Sequence, residues 1–391
     1  MVREVFITVY LSVFKLIFNF FNLFPLKEKV TFVVSFGDNS QYVYEEIREQ
    51  KAPVEVVVLY KGSSDRYFRS KQGIKLIPLN LLNMFKSIYH LATSKYIFID
   101  NYFGFLAVTD FKQEVECIQL WHASGAIKKF GLEDLSIKKR SNRAKKRFLQ
   151  VYKKFHKVVV GSDVMAKTFI KAFDLSNDNI LRTGIPRTDF FYNEVLHKNI
   201  LDNLNKEVPE IKNKKKILYA PTYRDNQLDQ FEMKLDLEKM MNELAENYVL
   251  LLRLHPAVKS TINYSEQYPE FVYDYSSSNY DINELLLFGD YLITDYSSLP
   301  YEFSLLNKPM IFFAYDLETY SKERGLLDHY EQMVPGPIVK QTDDVIYLLK
   351  EKQFDFKQIK DYAEEWNKYS KGHSSKSIVQ YMFKKDSIRM K

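Results

Sequence analysis

The strongest constraint on this chain is a repeating pattern of short, continuous apolar runs separated by stretches with helical spacing. The runs at 30–36, 54–60, 74–77, 96–99 and 117–121 are rich in Val, Ile and aromatic residues and do not alternate with polar ones. A strand that is apolar throughout is buried on both faces, as in a parallel sheet covered by helices. Helical stretches at 41–50 and 81–92 lie between the runs, and 158–160 and 180–181 continue the series. At 205–216 (NKEVPEIKNKKK) the composition turns polar, with a Pro and a Lys run, and is read as a linker. A second series follows at 217–220, 248–254, 291–294 and 310–314. The expectation is therefore an α/β chain with two doubly wound, Rossmann-like domains, 27–204 and 217–391, facing across a cleft. The last helix can return to the N-terminal domain. A length of 391 residues suits two domains of roughly 100–200 residues each.

Residues 4–24 are strongly apolar, with one polar stripe: Glu4, Thr8, Ser12, Lys15, Asn19 and Asn22 recur every three or four residues, and Pro25 ends the pattern. The spacing predicts an amphipathic helix over 1–26, lying in a membrane interface. Docking on the protein's own core and a tilted anchor are the alternatives. No uninterrupted apolar run approaches the roughly 18 residues of a spanning helix, and no small-residue cleavage site follows.

Charge is unevenly placed. The net charge is +6, yet 127–157 holds twelve basic residues against two acids (Glu133 and Asp134). They are Lys128, Lys129, Lys138, Lys139, Arg140, Arg143, Lys145, Lys146, Arg147, Lys153, Lys154 and Lys157. A local patch implies an anionic partner at one face: nucleic acid, anionic lipid or a pyrophosphate-bearing substrate. A plain solvated helix face is the other reading. Few aromatics interleave the cations, which argues against nucleic acid. The single cysteine, Cys117, lies in an apolar run, excludes a disulfide framework and reads as a buried thiol.

Several strands end in polar residues, on the edge where open α/β sheets bind ligands. The run 117–121 delivers His122 to a turn of small residues, Ala123, Ser124, Gly125 and Ala126, followed by Lys128 and Lys129. That arrangement suits a phosphorylated ligand, or His122 merely caps a strand. The run at 180–183 leads into Gly184-Ile185-Pro186-Arg187, and 217–220 into Pro221-Thr222-Tyr223-Arg224. Arg253, in an apolar run ending Leu254-His255-Pro256, needs a partner, either a phosphate or an internal ion pair. Ser297 and Ser298 precede a helix expected at 301–306 with Glu302 in its first turn. They read as a cap, as phosphate ligands at a helix N-terminus, or both. No Gly-x-Gly pair, Asp-x-Asp clamp, Gly-x-Ser-x-Gly elbow or His/Cys metal spacing is present.

Together, WHASGAIKKFG (121–131), TGIPRTDFF (183–191), YAPTYRD (219–225), RLHP (253–256) and TDYSSLPYEFSLLNKPMIFF (294–313) resemble the CDP-glycerol glycerophosphotransferases of wall teichoic acid synthesis. Where polymerases of that family tend to carry His-Gly-Thr-Pro, this chain has His122-Ala123-Ser124-Gly125, which looks like the primase branch. A chain of this length without an added N-terminal domain fits that branch as well. The resemblance implies a GT-B-like fold and transfer of glycerol phosphate to a disaccharide on undecaprenyl pyrophosphate, at the cytoplasmic face of the membrane. A polyol-phosphate transferase using ribitol, or acting on another surface glycan such as a capsule, is the near alternative. The resemblance implies that the C-terminal half holds CDP-glycerol, with His122 and His255 catalytic. The loop 123–126, Arg187, Pro221, Thr222, Arg253, Leu254, Ser297, Ser298 and Glu302 would contact the donor. The helix at 1–26 and the basic run would seat the enzyme on an anionic membrane surface. No cofactor is implied, and a divalent metal requirement stays open.

Overall fold

The computed structural model describes residues 2–224, 228–229, 231–258, 262–277, 280–327 and 330–389. Asp225, the last residue of the 219–225 motif, lies outside them. The chain divides into two compact units. Unit 1 comprises Met1–Ser124, Phe130–Asp189 and Lys368–Lys391; unit 2 comprises Gly125–Lys129 and Phe190–Asn367. The division thus falls at Asp189–Phe190 rather than in the polar 205–216 segment. That segment lies within unit 2, where a short 3₁₀ turn (Pro209–Ile211) leads into a strand.

Unit 1 holds a seven-stranded sheet of β1 (Lys27–Val34), β2 (Glu55–Tyr60), β3 (Ile74–Pro78), β4 (Ser94–Ile99), β5 (Glu116–Gln119), β6 (Lys157–Val159) and β7 (Ile180–Leu181). Its order is β3-β2-β1-β4-β5-β6-β7, every pair parallel. Val30, Phe32, Val56, Val58, Phe98 and Ile118 are fully or almost fully buried in its core, as expected of strands covered on both faces. Unit 2 holds β8 (Lys215–Tyr219), β9 (Tyr248–Leu252), β10 (Val272–Asp274), β11 (Tyr291–Thr294), β12 (Met310–Phe313) and β13 (Ile338–Val339), in the order β10-β9-β8-β11-β12-β13, again all parallel. The short edge strands β10 and β13 were not anticipated; three and two residues are too few to show a pattern.

Both sheets reverse their winding beside the first strand of the unit, between β1 and β4 and between β8 and β11. Ligand crevices open at the carboxyl ends of strands at such switch points. In each unit an Asp directly follows the second of those strands, Asp100 after β4 and Asp295 after β11. Each accepts backbone N–H groups from the loop after the first: Asp100 from Ser35, Phe36 and Gly37, and Asp295 from Thr222. A carboxylate of the protein thus ties together the two loops at each switch point.

Helix α1 (Val2–Phe21) has three faces rather than the expected two. Phe14, Ile17 and Phe18 are buried on unit 1, with Phe14 stacked on Phe105 (centroids 5.0 Å) and Phe18 edge-on to Phe111. The polar stripe forms a second face. A third, of Val5, Phe6, Val9, Val13, Leu16 and Phe20, is exposed, Leu16 at 73%. Positions 5, 6, 9, 13, 16 and 20 fall within about 100° of one another on a helix. By length and composition Glu4–Phe21 is also apolar enough to cross a membrane, even with Glu4 and Lys15 in it. The basic run is shared between the two units. Lys128 and Lys129 belong to unit 2, and the remaining ten cations to unit 1. Arg143, Lys145, Lys146 and Arg147 lie on a helix, Asn142–Tyr152, that packs against the Gly104–Val108 turn, which α1 also touches. Arg147 pairs with Glu4 of α1 (3.2 Å). Lys138, Lys139, Arg140, Arg143 and Lys146 are exposed.

Candidate functional site

In unit 1 the site is built around His122. Strand β5 ends at Gln119, whose side-chain oxygen accepts the Trp121 N–H (2.9 Å). Trp121 then adopts a left-handed backbone (φ 59°), a conformation that costs a bulky residue roughly 1–3 kcal/mol. Packing holds it there: the indole meets Phe130, Phe169 and Phe173. The turn leaves the His122 imidazole stacked between Trp121 and Phe36, with centroids at 4.4 and 4.2 Å. Its Nδ1 lies 3.1 Å from the backbone carbonyl of Asp100. A carbonyl can only accept, so Nδ1 carries the proton and Nε2 is the free base. Burial lowers the His122 pKa below the ordinary histidine value. The Asp100 hydrogen bond and the Asp38 charge oppose that, and Arg187 adds to it. The imidazole is therefore neutral at pH 7, as a proton acceptor must be.

The surrounding loops are cross-braced. Arg187 donates to the Asp38 carboxylate and to the His122 carbonyl (3.0 Å). Its backbone N–H donates to Asn39, and the Asn39 amide donates to the Trp121 carbonyl (2.9 Å). Burial holds the Asp100 carboxyl up at about 7, although three N–H groups favour its ionised form. Its carboxylate fixes the turn that carries Phe36, and its carbonyl orients His122.

In unit 2 the polar strand ends are largely committed to the fold. Arg253 donates to the carbonyls of Tyr275 (2.6 Å), Ser277 (2.5 Å) and Tyr280 (3.2 Å). Arg224 spans Asp316 (2.9 Å) and Asp295 (3.1 Å) and lies over the rings of Tyr296, Tyr315 and Tyr320. The Thr222 N–H is held by Asp295, while its buried hydroxyl has no partner among the described residues. Ser297 Oγ accepts the Leu299 N–H (3.1 Å), and the Ser298 side chain makes no cap. The helix they precede is only Leu299–Phe303, continued by a 3₁₀ turn (Ser304–Leu306), rather than 301–306. Five residues give too small a dipole to make its N-terminus an anion site unaided. Glu302 in that helix is buried. Exposed at the end of the β9 run, His255 packs on Tyr223 (4.7 Å), and its Nδ1 accepts the Ala257 N–H (3.1 Å). In its neutral form the proton then sits on Nε2, the opposite tautomer to His122. Desolvation by its neighbours, then the Lys128 and Arg253 charges, lower its pKa.

The chain was compared with known proteins. A model of the CDP-glycerol:poly(glycerophosphate) glycerophosphotransferases matches residues 16–384. The teichoic acid glycerol-phosphate primase of Bacillus subtilis (strain 168) is 37% identical, over 91% of this chain and 92% of that protein. This chain belongs to the CDP-glycerol glycerophosphotransferase family. The ribitol-phosphate primase of Bacillus spizizenii (strain ATCC 23059 / NRRL B-14472 / W23) is 32% identical over 92% of each chain. The solved wall teichoic acid polymerase TagF superposes with a TM-score of 0.82 over the whole of both chains at 23% identity, so the fold is GT-B-like.

Membership makes this glycerophosphotransferase an enzyme of teichoic acid synthesis that uses CDP-glycerol. Of the residues the family resemblance singled out, His122, Ala123, Ser124 and Arg187 lie in unit 1. Gly125, Ala126, Pro221, Thr222, Arg253, Leu254, His255, Ser297, Ser298 and Glu302 lie in unit 2. Phe36, Asp38, Asn39 and Asp100 were missed in unit 1, while Arg224 in unit 2 was read as a strand-end residue and given no role. The polar DNS triplet after β1 and the Asp after β4 were the available signals, since they close strands at the switch point.

Proposed function

We propose that this enzyme transfers glycerol phosphate from CDP-glycerol to a disaccharide on undecaprenyl pyrophosphate, with CMP as the leaving group. The observation that carries the reading is the pair of opposite histidine tautomers. Nε2 of His122 can accept the proton of the acceptor hydroxyl, and Nε2–H of His255 can donate to a phosphate oxygen. The hydroxyl oxygen attacks the β-phosphorus, the bond from that phosphorus to the bridging oxygen breaks, and CMP departs with the electron pair. A positioned base contributes about 10²–10⁴ in rate, and the rest comes from positioning and charge stabilisation. Unit 2 holds the donor, with the Thr222 hydroxyl and the 297–298 loop among its contacts. The test is the mass of the product formed on a synthetic lipid-linked disaccharide with CDP-glycerol. A single added unit supports a primase, and long products overturn that assignment. Parallel reactions with CDP-ribitol decide the second reading, ribitol phosphate transfer or a different surface glycan, which the similarity to the ribitol-phosphate primase favours.

The lipid-linked acceptor also gives α1 a role, seating the enzyme peripherally on the cytoplasmic face of the membrane. The exposed apolar face of α1 enters the interface while Phe14, Ile17 and Phe18 keep the helix on unit 1. The neighbouring basic helix adds about 1 kcal/mol per cation near an anionic surface. The protein is expected to float with phosphatidylglycerol vesicles and much less with phosphatidylcholine. L16E/F20E should reduce flotation several-fold at unchanged Tm, whereas a wild-type protein that never floats would exclude this seat.

A further inference from the structure

We infer that Lys128 binds the pyrophosphate of the nucleotide donor, having been carried into unit 2 by the Gly125–Lys129 segment. The inference rests on the reading that unit 2 holds CDP-glycerol. The segment is threaded into that unit by its backbone. Tyr301 Oη donates to the Ala126 carbonyl (2.7 Å), the Leu327 N–H to the Ile127 carbonyl (2.7 Å), and the Lys129 N–H to the Gly325 carbonyl (3.0 Å). Lys128 itself pairs antiparallel with Leu326. At Gly125 a Cβ would come within 2.5 Å of the Tyr301 ring, so only glycine lets the chain pass. A lysine on so fixed a backbone is placed by the fold of unit 2.

Its position is the carboxyl edge of the unit 2 sheet. The ammonium lies 5.1 Å over the Tyr320 ring, which stacks at 3.9 Å on Tyr296, the second residue past β11. It is also close enough to His255 to lower that histidine's pKa, so it shares the neighbourhood of the proposed phosphate donor. A bound pyrophosphate brings about two negative charges, which a cation at this edge of the sheet offsets. Lys128 supplies a compact charge on a four-carbon stem, suited to following a phosphate as it moves from donor to product.

The full-length protein tests this by calorimetric titration of CDP-glycerol and CMP into wild type, K128Q, K128R and the unit 1 control K138Q. K128Q is expected to weaken CDP-glycerol about tenfold or more and CMP, which lacks the β-phosphate, clearly less. K128R should retain most of the affinity and K138Q all of it. Wild-type affinity in K128Q overturns the inference. So does an equal loss for both nucleotides, which marks a structural defect. A wild-type protein that binds no CDP-glycerol instead removes the donor reading, and this inference with it.

Discussion

Turnover of the His122→Ala variant is expected to fall at least about a hundredfold while CDP-glycerol still binds. The expectation follows from the geometry of unit 1. The imidazole is clamped between two rings, its Nδ1 proton is held by the Asp100 carbonyl, and Nε2 is left as an acceptor. Alanine removes the acceptor and leaves unit 2 unchanged, so the loss belongs in kcat rather than in donor affinity. Steady-state kinetics with calorimetric binding separate the two, and wild-type turnover in this variant would remove His122 from the reaction. The pH profile carries a second signature. Burial lowers the His122 pKa, so the neutral, proton-accepting form persists below the ordinary value of about 6.5. The acid limb of kcat/KM that belongs to His122 in the wild type is therefore expected below that pH.

Arg187→Met is expected to destabilise the protein by about 3 kcal/mol and to lower kcat. Removing one partner of a buried ion pair leaves the other charge desolvated and unpaired. Here the Arg187 and Asp38 side chains are only 10% and 19% exposed, and the same guanidinium holds the His122 carbonyl. Losing it frees the loop that carries His122. Adding Asp38→Asn should recover part of the stability, because the unpaired carboxylate is gone, and the two changes should not add. Chemical denaturation measures the first effect and kinetics the second. A large rise in the dissociation constant for CDP-glycerol with kcat intact would instead make Arg187 a donor ligand, as the family resemblance implies.

How far the chain could be read depended on whether the information was local. The runs at 54–60 and 291–294 became β2 and β11 within a residue, because an all-apolar run can be buried on both faces only in a covered sheet. His122 was visible because it ends such a run. The edge strands β10 and β13 were not visible, being too short for periodicity. The splitting of the apolar side of α1 into a docked and an exposed face was hidden too, since hydropathy alone cannot say which apolar surface finds a partner within the protein.

By itself, the sequence determined the α/β class, the two parallel sheets, the polar strand ends and the family. All of these follow from residue type and spacing along the chain. Only the tertiary structure decided the chemistry of His122. Phe36 and Asp100 reach it from 86 and 22 residues away, and Trp121 must take a left-handed turn to let them. It also decided that Lys128, in the middle of a basic run, belongs to unit 2. Neighbours in sequence share a backbone, but a side chain's partners are set by which strand ends the sheet order brings together.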